Sequence, residues 1–220
     1  AYDFRTLNYL GSKLRLLDFI EENVRKVNPD GEAVCDLFAG SGCVSYKLSR
    51  LYLVVACDIQ HYSRVICDAL LQPNTLTKES VETFMSEIKG GKSLLLEVFT
   101  PLIDLEEDAI RNKNLELLTS IFEHGSIEVF NQGKTESIIS TVQSKLNEKL
   151  KGKGLGGKES LISRYYGGVY FSYRQAVQVD VIMDAIRHHP DGINKNVLLA
   201  ALLSTASDIA CTVGKHFAQP

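Results

Sequence analysis

A short apolar stretch that ends in a glycine-rich turn is the feature that most constrains the fold of this chain. Val34-Cys35-Asp36-Leu37 is predicted to be a buried strand, and Phe38-Ala39-Gly40-Ser41-Gly42 follows it directly. Such a turn typically joins a strand to a helix at the C-terminal edge of a doubly wound sheet, where it cradles a nucleotide-like ligand. Gly40 and Gly42 have no Cβ, so backbone amides there can come close to a ligand. By itself this turn is a weak signal, but two neighbouring features support it.

The first supporting feature is an acid at the end of a second apolar run. Leu53-Val54-Val55-Ala56-Cys57 is of strand length, and Asp58 follows it, 18 residues after Gly40. An acid about 20 residues beyond the turn is placed to bind a ribose diol, because a carboxylate accepts two hydroxyl hydrogen bonds. The alternative is that Asp58 caps the next helix.

The second supporting feature lies upstream, where Tyr9-Leu10-Gly11-Ser12-Lys13 precedes an amphipathic helical pattern. Together these segments resemble the D12 class of DNA adenine-N6 methyltransferases, the Dam-like family. That family has an aromatic-x-Gly-x-Lys segment, then a Phe-x-Gly-x-Gly turn, then a strand-end acid. Segments 164–172 and 212–217 also resemble regions of these enzymes. The matching motif residues are Tyr9, Gly11, Lys13, Phe38, Gly40, Gly42 and Asp58.

The resemblance implies S-adenosylmethionine (SAM) as cofactor and a role for each matching side chain. Tyr9 and Lys13 would contact the methionine end of the cofactor, with Lys13 paired to its carboxylate. Phe38 would pack beside the methionine chain, and Asp36 would lie beneath the turn. The alternatives are a solvated lysine near a helix start for Lys13 and core packing for Tyr9.

One family motif is missing from the sequence. Family members transfer the methyl group with an [Asn/Asp/Ser]-Pro-Pro-[Tyr/Phe] loop, and this chain contains no Pro-Pro pair. The chain therefore resembles the cofactor-binding part of an enzyme, either a fragment or a half completed by a second polypeptide. No catalytic residue is assigned, and these residues alone are expected to be inactive. A non-catalytic SAM-binding or DNA-binding subunit stays an alternative.

A local excess of basic residues is predicted to contact double-stranded DNA, the substrate that the resemblance implies. The whole chain has a net charge of −3, whereas residues 145–174 contain seven Lys or Arg against two acids, with several aromatic residues. Basic side chains clamp phosphates and aromatic rings stack near bases. The alternative is a solvated loop followed by an aromatic core turn. The candidate DNA-binding residues are Lys151, Lys153, Lys158, Arg164, Tyr166 and Arg174.

The predicted fold is α/β: a Rossmann-like SAM-dependent methyltransferase fold with a partial sheet and a mainly helical insertion. Two strands are expected, near 33–38 and 53–58. We assign residues 1–70 to the SAM-binding part and residues 71–160 to a helical insertion that could recognise target DNA. Residues 161–220 return to the methyltransferase domain, with Asn194 predicted to cap a helix.

Other features narrow the functional class. Five cysteines without a Cys-x-x-Cys pair favour reduced thiols and argue against a metal site. No apolar run reaches about 18 residues, so no membrane span is expected. The resemblance implies a cytoplasmic enzyme of bacterial or archaeal type, as in restriction-modification systems. An NAD-dependent oxidoreductase is the remaining alternative, but Ser45 stands where a third glycine or alanine is expected.

Overall fold

The computed structural model describes residues 13–128, 138–190 and 192–211, and helices dominate these ranges. Short 3₁₀ helices cover Lys13–Leu16 and Lys158–Ser160. The strands are β1 (Val34–Asp36) and β2 (Val54–Ala56). The helices are α1 (Leu17–Val27), α2 (Cys43–Leu48), α3 (His61–Leu71), α4 (Lys78–Gly90), α5 (Leu94–Arg111), α6 (Leu115–His124), α7 (Ile138–Gly152), α8 (Leu161–Tyr165), α9 (Tyr173–Arg187) and α10 (Gly192–Ile209).

The two strands form a parallel pair, with Val34 opposite Val54 and Asp36 opposite Ala56. Hydrogen bonding continues beyond the strand ends, because the Cys57 amide donates to the Asp36 carbonyl at 2.8 Å. Parallel strands need a crossover connection, and α2 provides it between β1 and β2. Both predicted strands are therefore confirmed, within the ranges that the sequence indicated. The expectation that residues 34–37 are buried is wrong, because Cys35 and Leu37 are exposed. The other regular elements in the described ranges are helices.

The chain divides into two compact units that alternate along the sequence. Unit 1 contains the described residues of 1–81 and 186–208, and unit 2 contains those of 82–185 and 209–220. The three functional segments predicted from the sequence stay predictions.

In unit 1, α1 and α2 cover one face of the sheet. Leu17, Val44 and Leu48 are buried there, and the half-buried Val34 and Val54 pack against them. The strands alternate, so Cys35 and Val55 lie on the opposite face and are exposed. Because the two strands are parallel, their carboxyl ends meet at one edge of this sheet. That edge carries the glycine turn and Asp58.

Also in unit 1, side-chain hydrogen bonds tie α10 to α3 and to the segment that follows α3. The Asn194 amide oxygen accepts from the Thr75 amide at 3.3 Å, and its Nδ2 donates to the Thr75 hydroxyl at 3.0 Å. Asn196 donates to the Asp68 carboxylate at 3.0 Å. Because α10 begins at Gly192, the prediction that Asn194 caps this helix is wrong. The side chain satisfies a distant backbone amide instead.

Unit 2 has its own core, formed mainly by α5, α6, α7 and the start of α9. Phe99, Leu102, Ile121 and Leu146 are buried in it together with Tyr173. The Tyr173 hydroxyl donates to the Gly125 carbonyl at 2.7 Å, so this large polar side chain is satisfied in the interior. Side chains of Ser93 and Asn114 cap α5 and α6 by accepting from the amides of Leu96 and Leu117.

Candidate functional site

The turn after β1 has the backbone conformation that only glycine adopts without strain. Gly40 has φ 52° and Gly42 has φ 71°, both in the left-handed region. Gly42 precedes α2, and its carbonyl accepts the Tyr46 amide at 2.8 Å. A Cβ on Gly42 would lie 3.0 Å from Leu70 Cδ1 and 3.3 Å from Cys67 Sγ. The absence of a side chain at Gly42 therefore allows the turn to lie close to α3.

Asp58 joins the end of β2 to this turn. Its Oδ2 accepts the Gly40 amide at 2.8 Å, and its Oδ1 accepts the Gln60 amide at 2.8 Å. These backbone donors, Gln60 first and Gly40 second, lower the pKa of the Asp58 carboxyl. The Ser63 side chain and the Ile59 amide also lower this pKa. A carboxylate has about four acceptor positions, and the amides of Gly40 and Gln60 occupy one on each oxygen. The N-cap residue of α3 is Gln60, so Asp58 does not cap that helix.

Lys13, which precedes the turn in the sequence, contacts it as well. Its Nζ donates to the Phe38 carbonyl at 3.1 Å, although 25 residues separate them. Phe38 is 78% exposed. Beneath the turn, the Asp36 carboxylate accepts the Ser45 hydroxyl at 2.7 Å. A cation, an exposed aromatic ring and two carboxylates thus meet around one glycine turn.

An ion network around one buried lysine, which the sequence analysis missed, connects α2 with α1. Lys47 on α2 has a side chain only 10% exposed, and its Nζ lies 2.8 Å from both Asp18 Oδ1 and Glu21 Oε2 on α1. Glu21 also pairs with Arg25 at 3.0 Å. Lys47, followed by Arg25, lowers the pKa of Glu21. The available signal was a single lysine on the apolar face of α2.

A cleft of about 740 Å³ runs along β2 and includes the acid. Its walls come from residues 52–58 on one side and from α3 on the other, with Ala39 at the turn. Arg64 and Asp68 contribute charge to the α3 wall. The space beside Asp58 is therefore large enough for a ligand of nucleoside size.

The predicted DNA-binding residues lie in unit 2. They differ in how closely their side chains already contact other residues of that unit. The exposed residues are Lys151, Lys153, Lys158, Tyr166 and Arg174. Lys153 lies 3.6 Å from Glu97, and the Tyr166 ring packs edge-on against Tyr170 at 5.6 Å.

The two arginines of this set form ion pairs within unit 2. Arg174 Nε lies 2.5 Å from Glu107. The Arg164 side chain is only 14% exposed, and its guanidinium contacts both the Glu128 carboxylate and the Gly156 carbonyl. In the aromatic segment around them, Phe171 and Tyr173 are buried. Contacts to DNA by these two arginines stay predictions, since the guanidinium groups already have acidic partners.

Some predicted features lie outside the described residues. These are Tyr9, Gly11 and segment 212–217. In the ranges that the structure does describe, no group of three His, Cys, Asp or Glu side chains is arranged to hold a metal ion. None of the helices in those ranges combines the length and the apolar character needed to cross a membrane.

Comparison with known proteins points to one family. Residues 9–131, more than half of the chain, match the model of the D12 class N6 adenine-specific DNA methyltransferases. The chain is 38% identical over 65 residues to modification methylase LlaI of Lactococcus lactis subsp. lactis, which is 30% of this chain and 10% of that protein.

Two further relatives are type II methyltransferases. M.NlaIII of Neisseria lactamica is 33% identical over 81 residues, 32% of this chain and 24% of that protein. M.FokI of Planomicrobium okeanokoites is 31% identical over 71 residues, 32% of this chain and 11% of that protein. The matched segments thus span a quarter or less of each relative, and no solved structure matches the chain. On the strength of the family match, this chain belongs to the D12 class of N6 adenine-specific DNA methyltransferases.

Proposed function

We propose that this chain binds SAM at the turn between β1 and α2 and forms part of an enzyme that methylates N6 of adenine in DNA. The observation that carries the proposal is the hydrogen bond from the Gly40 amide to Asp58. It joins a strand-end acid to a glycine turn in a chain of a DNA methyltransferase family. When bound, SAM supplies an electrophilic methyl group on its sulfonium.

The residues around the turn fit the adenosine part of such a cofactor. Asp58 is held ionised by two backbone amides, and the acceptor positions that these amides do not use would bind the ribose hydroxyls. Gly40 carries no Cβ, so the ribose could approach the backbone closely. The cleft beside Asp58 offers the space for a nucleoside.

The methionine part of the cofactor would lie over the same turn. We assign Lys13 to its carboxylate and Phe38 to its aliphatic chain, with Asp36 beneath them. The Lys13 ammonium donates to the Phe38 carbonyl at 3.1 Å, a neutral partner that a carboxylate would replace favourably. Tyr9 and Gly11 are assigned to this end as well, from the family motif.

We further propose that the complete enzyme has a Rossmann-like fold. Sheets of parallel strands normally have both faces covered, whereas here Cys35 and Val55 are exposed on the face opposite α1 and α2. In this scheme residues 1–70 bind the cofactor, 71–160 form a helical insertion that recognises DNA, and 161–220 return to the methyltransferase domain.

The DNA would be bound through the basic segment of unit 2. Lys151, Lys153 and Lys158 would contact phosphates, and Tyr166 would contact a base or sugar. Arg164 and Arg174 would join them only by exchanging Glu128 and Glu107 for phosphate. An adenine within duplex DNA has to leave the base stack before its amino nitrogen can react. Because the sequence has no Pro-Pro loop, we assign methyl transfer to the assembled enzyme.

A ligand titration tests the cofactor part of this proposal. The thermal unfolding of the chain would be followed with SAM, S-adenosylhomocysteine and NAD. A ligand at 100 times its Kd stabilises the folded state by about 2.7 kcal/mol. We expect SAM and S-adenosylhomocysteine to stabilise wild type and Asp30→Ala, an exposed acid in the same unit, but not Asp58→Ala. Stabilisation by NAD alone would contradict the proposal.

The methylation part needs the complete enzyme and a separate assay. Incubation with duplex DNA and SAM should produce N6-methyladenine, and Lys151→Ala, Lys153→Ala and Lys158→Ala together should weaken DNA binding most at low salt. A complete enzyme that binds SAM but leaves every adenine unmodified would overturn the assignment of the substrate while leaving the cofactor site intact.

A further inference from the structure

The starting point is the buried ammonium of Lys47, which none of the roles above uses. It projects from α2 toward α1 and meets Asp18 and Glu21 at 2.8 Å each. Glu21 is in turn shared with Arg25, so two acids and two bases form one network with no net charge. A buried lysine is costly unless its charge is compensated, and this network compensates it.

The apolar contacts between α1 and α2 fix the relative position of these two helices less strictly than the ion network does. Leu17 and Val24 of α1 pack with Val44 and Leu48 of α2, and hydrophobic burial is non-directional. The network is specific to position, because the Lys47 ammonium lies 2.8 Å from a carboxylate oxygen of both Asp18 and Glu21 in the observed register of α1 against α2. Such use of a buried charge to specify geometry is known from helical assemblies.

Lys13 depends on that register. It begins the 3₁₀ helix that leads directly into α1, while the carbonyl to which it donates belongs to Phe38, five residues before α2. A shift of α1 along α2 would therefore move the Lys13 ammonium relative to the glycine turn. We propose that Lys47 is a positioning residue that sets the place of Lys13 for the carboxylate of the cofactor.

This inference rests on the proposed function and adds a residue that touches no ligand. Its consequence is selective, because only the part of a ligand that Lys13 binds should lose affinity when Lys47 is changed. The adenosine part is held by Asp58, whose partners are the Gly40 and Gln60 amides and not α1. Lys47 should therefore matter for the amino acid end of the ligand and not for the nucleoside end.

Two thioether ligands distinguish the contribution of the amino acid end from that of the nucleoside end. S-adenosylhomocysteine carries the amino acid chain, whereas 5′-deoxy-5′-methylthioadenosine has a methyl group in its place. The readout is the ratio of their Kd values, measured by calorimetry for wild type, Lys13→Ala, Lys47→Met, Lys47→Arg and the double variant of Lys13→Ala with Lys47→Met. Lys26→Met is the matched control, because Lys26 forms an exposed ion pair with Glu22 within α1.

We expect wild type to prefer S-adenosylhomocysteine and Lys13→Ala to lose about tenfold of that preference, the loss of one charge-assisted contact. Lys47→Met should lose a similar factor, Lys47→Arg should recover part of it, and the double variant should lose no more than either single one. Lys26→Met should leave the ratio unchanged. A merely structural role of Lys47 would weaken both ligands equally and leave the ratio constant.

Each contrary outcome has its own meaning. Folded Lys47→Met with an unchanged ratio would overturn the positioning role alone. Equal affinity of wild type for both ligands would overturn the roles of Lys13 and Lys47 but not the cofactor site. Binding of neither ligand would overturn the proposed function as well. If Lys47→Met does not fold, Glu21→Gln makes the same test, because it neutralises one partner without changing the side-chain shape.

Discussion

At the scale of single residues, Gly42 is constrained twice, by its backbone angle and by its neighbours. Its φ of 71° costs an L-residue about 1 kcal/mol, and a Cβ would lie 3.0 Å from Leu70. Gly31 has nearly the same φ, 73°, but a Cβ there would have no atom within 4 Å. Replacing each by alanine therefore separates the two costs.

We expect Gly31→Ala to lower the free energy of unfolding by about 1 kcal/mol and Gly42→Ala to lower it by about 2–4 kcal/mol, since crowding adds about 1–3 kcal/mol. Urea denaturation of both variants measures the difference. Equal losses would show that α3 yields to the added methyl group and that the close approach of the turn has no energetic consequence.

Glu106 in unit 2 makes stability depend on pH. Burial raises the pKa of Glu106 to about 7 from the usual 4.5, although the Tyr173 amide donates to it at 2.8 Å. The folded state therefore binds a proton that the unfolded chain releases between these values. The stabilising contribution is present below about pH 4.5 and is lost as the pH rises through about 7.

Glu106→Gln keeps an acceptor for the Tyr173 amide and removes this titration. Relative to wild type, its free energy of unfolding should rise by up to about 3 kcal/mol between pH 4.5 and 8. Urea titrations across this range measure it. The neighbouring Glu107→Gln is an opposite-sign control, because Arg174 lowers the pKa of Glu107. Parallel pH profiles for wild type and Glu106→Gln would contradict the prediction.

At the scale of elements, the five-residue helix α8 depends on a distant carboxylate. Asp180 on α9 is buried and accepts the amides of Ile162 and Ser163 at 2.9 and 2.8 Å, as well as the Ser163 hydroxyl. It thus satisfies first-turn amides that have no partner inside the helix. A helix this short has little stability of its own.

Asp180→Ala should therefore lower the free energy of unfolding by about 2–4 kcal/mol, because it leaves buried donors without an acceptor. Asp180→Asn, which keeps one oxygen, should lose less. Asp108→Ala, which removes an exposed pair with Arg111, should change stability by less than about 1 kcal/mol. Denaturant midpoints of the three variants make the comparison, and an Asp180→Ala loss as small as that of Asp108→Ala would refute the capping role.

The difference between local patterns and contacts distant in sequence explains which features the sequence could predict. The strands, the glycine turn and the acid after β2 follow from local patterns, and the structure brings Gly40 and Asp58 together as the spacing indicated. The carboxylate that caps α8 and the amide partner of Asn194 lie 17 and 119 residues away in sequence. A periodicity argument uses only neighbours, so it predicted a local cap for Asn194.

Counting charges along the sequence does not predict which charged side chains are paired, because their partners can be distant in the sequence. Arg164 adds to a basic segment in the sequence, yet Glu128, 36 residues earlier, pairs with its guanidinium. The two acids that pair with Lys47 lie on α1, 29 and 26 residues earlier in the sequence. Local patterns therefore identify which residues are chemically suited to a site. Only the tertiary fold decides which of them are already engaged.

At the scale of the whole molecule, the two compact units alternate along one chain. The candidate cofactor site belongs to unit 1, while the Tyr173 core belongs to unit 2. Proteins built from several compact units often unfold in parts, and amide hydrogen exchange reports the free energy of each part. Ligand binding to one unit therefore shows whether the units open independently.

With S-adenosylhomocysteine at 100 times its Kd, amides that exchange only when the site opens should slow by about 100-fold. We expect this slowing at Ala39, Gly40 and Gln60, whose amides are hydrogen-bonded around the turn. The Tyr173 amide, bonded to Glu106, should keep its rate if unit 2 opens independently. Equal slowing in both units would show that they open together, whereas no slowing around the turn would place the ligand elsewhere. Repeating the measurement on Asp58→Ala, which should show no slowing in either unit, separates specific binding from a general effect of the ligand.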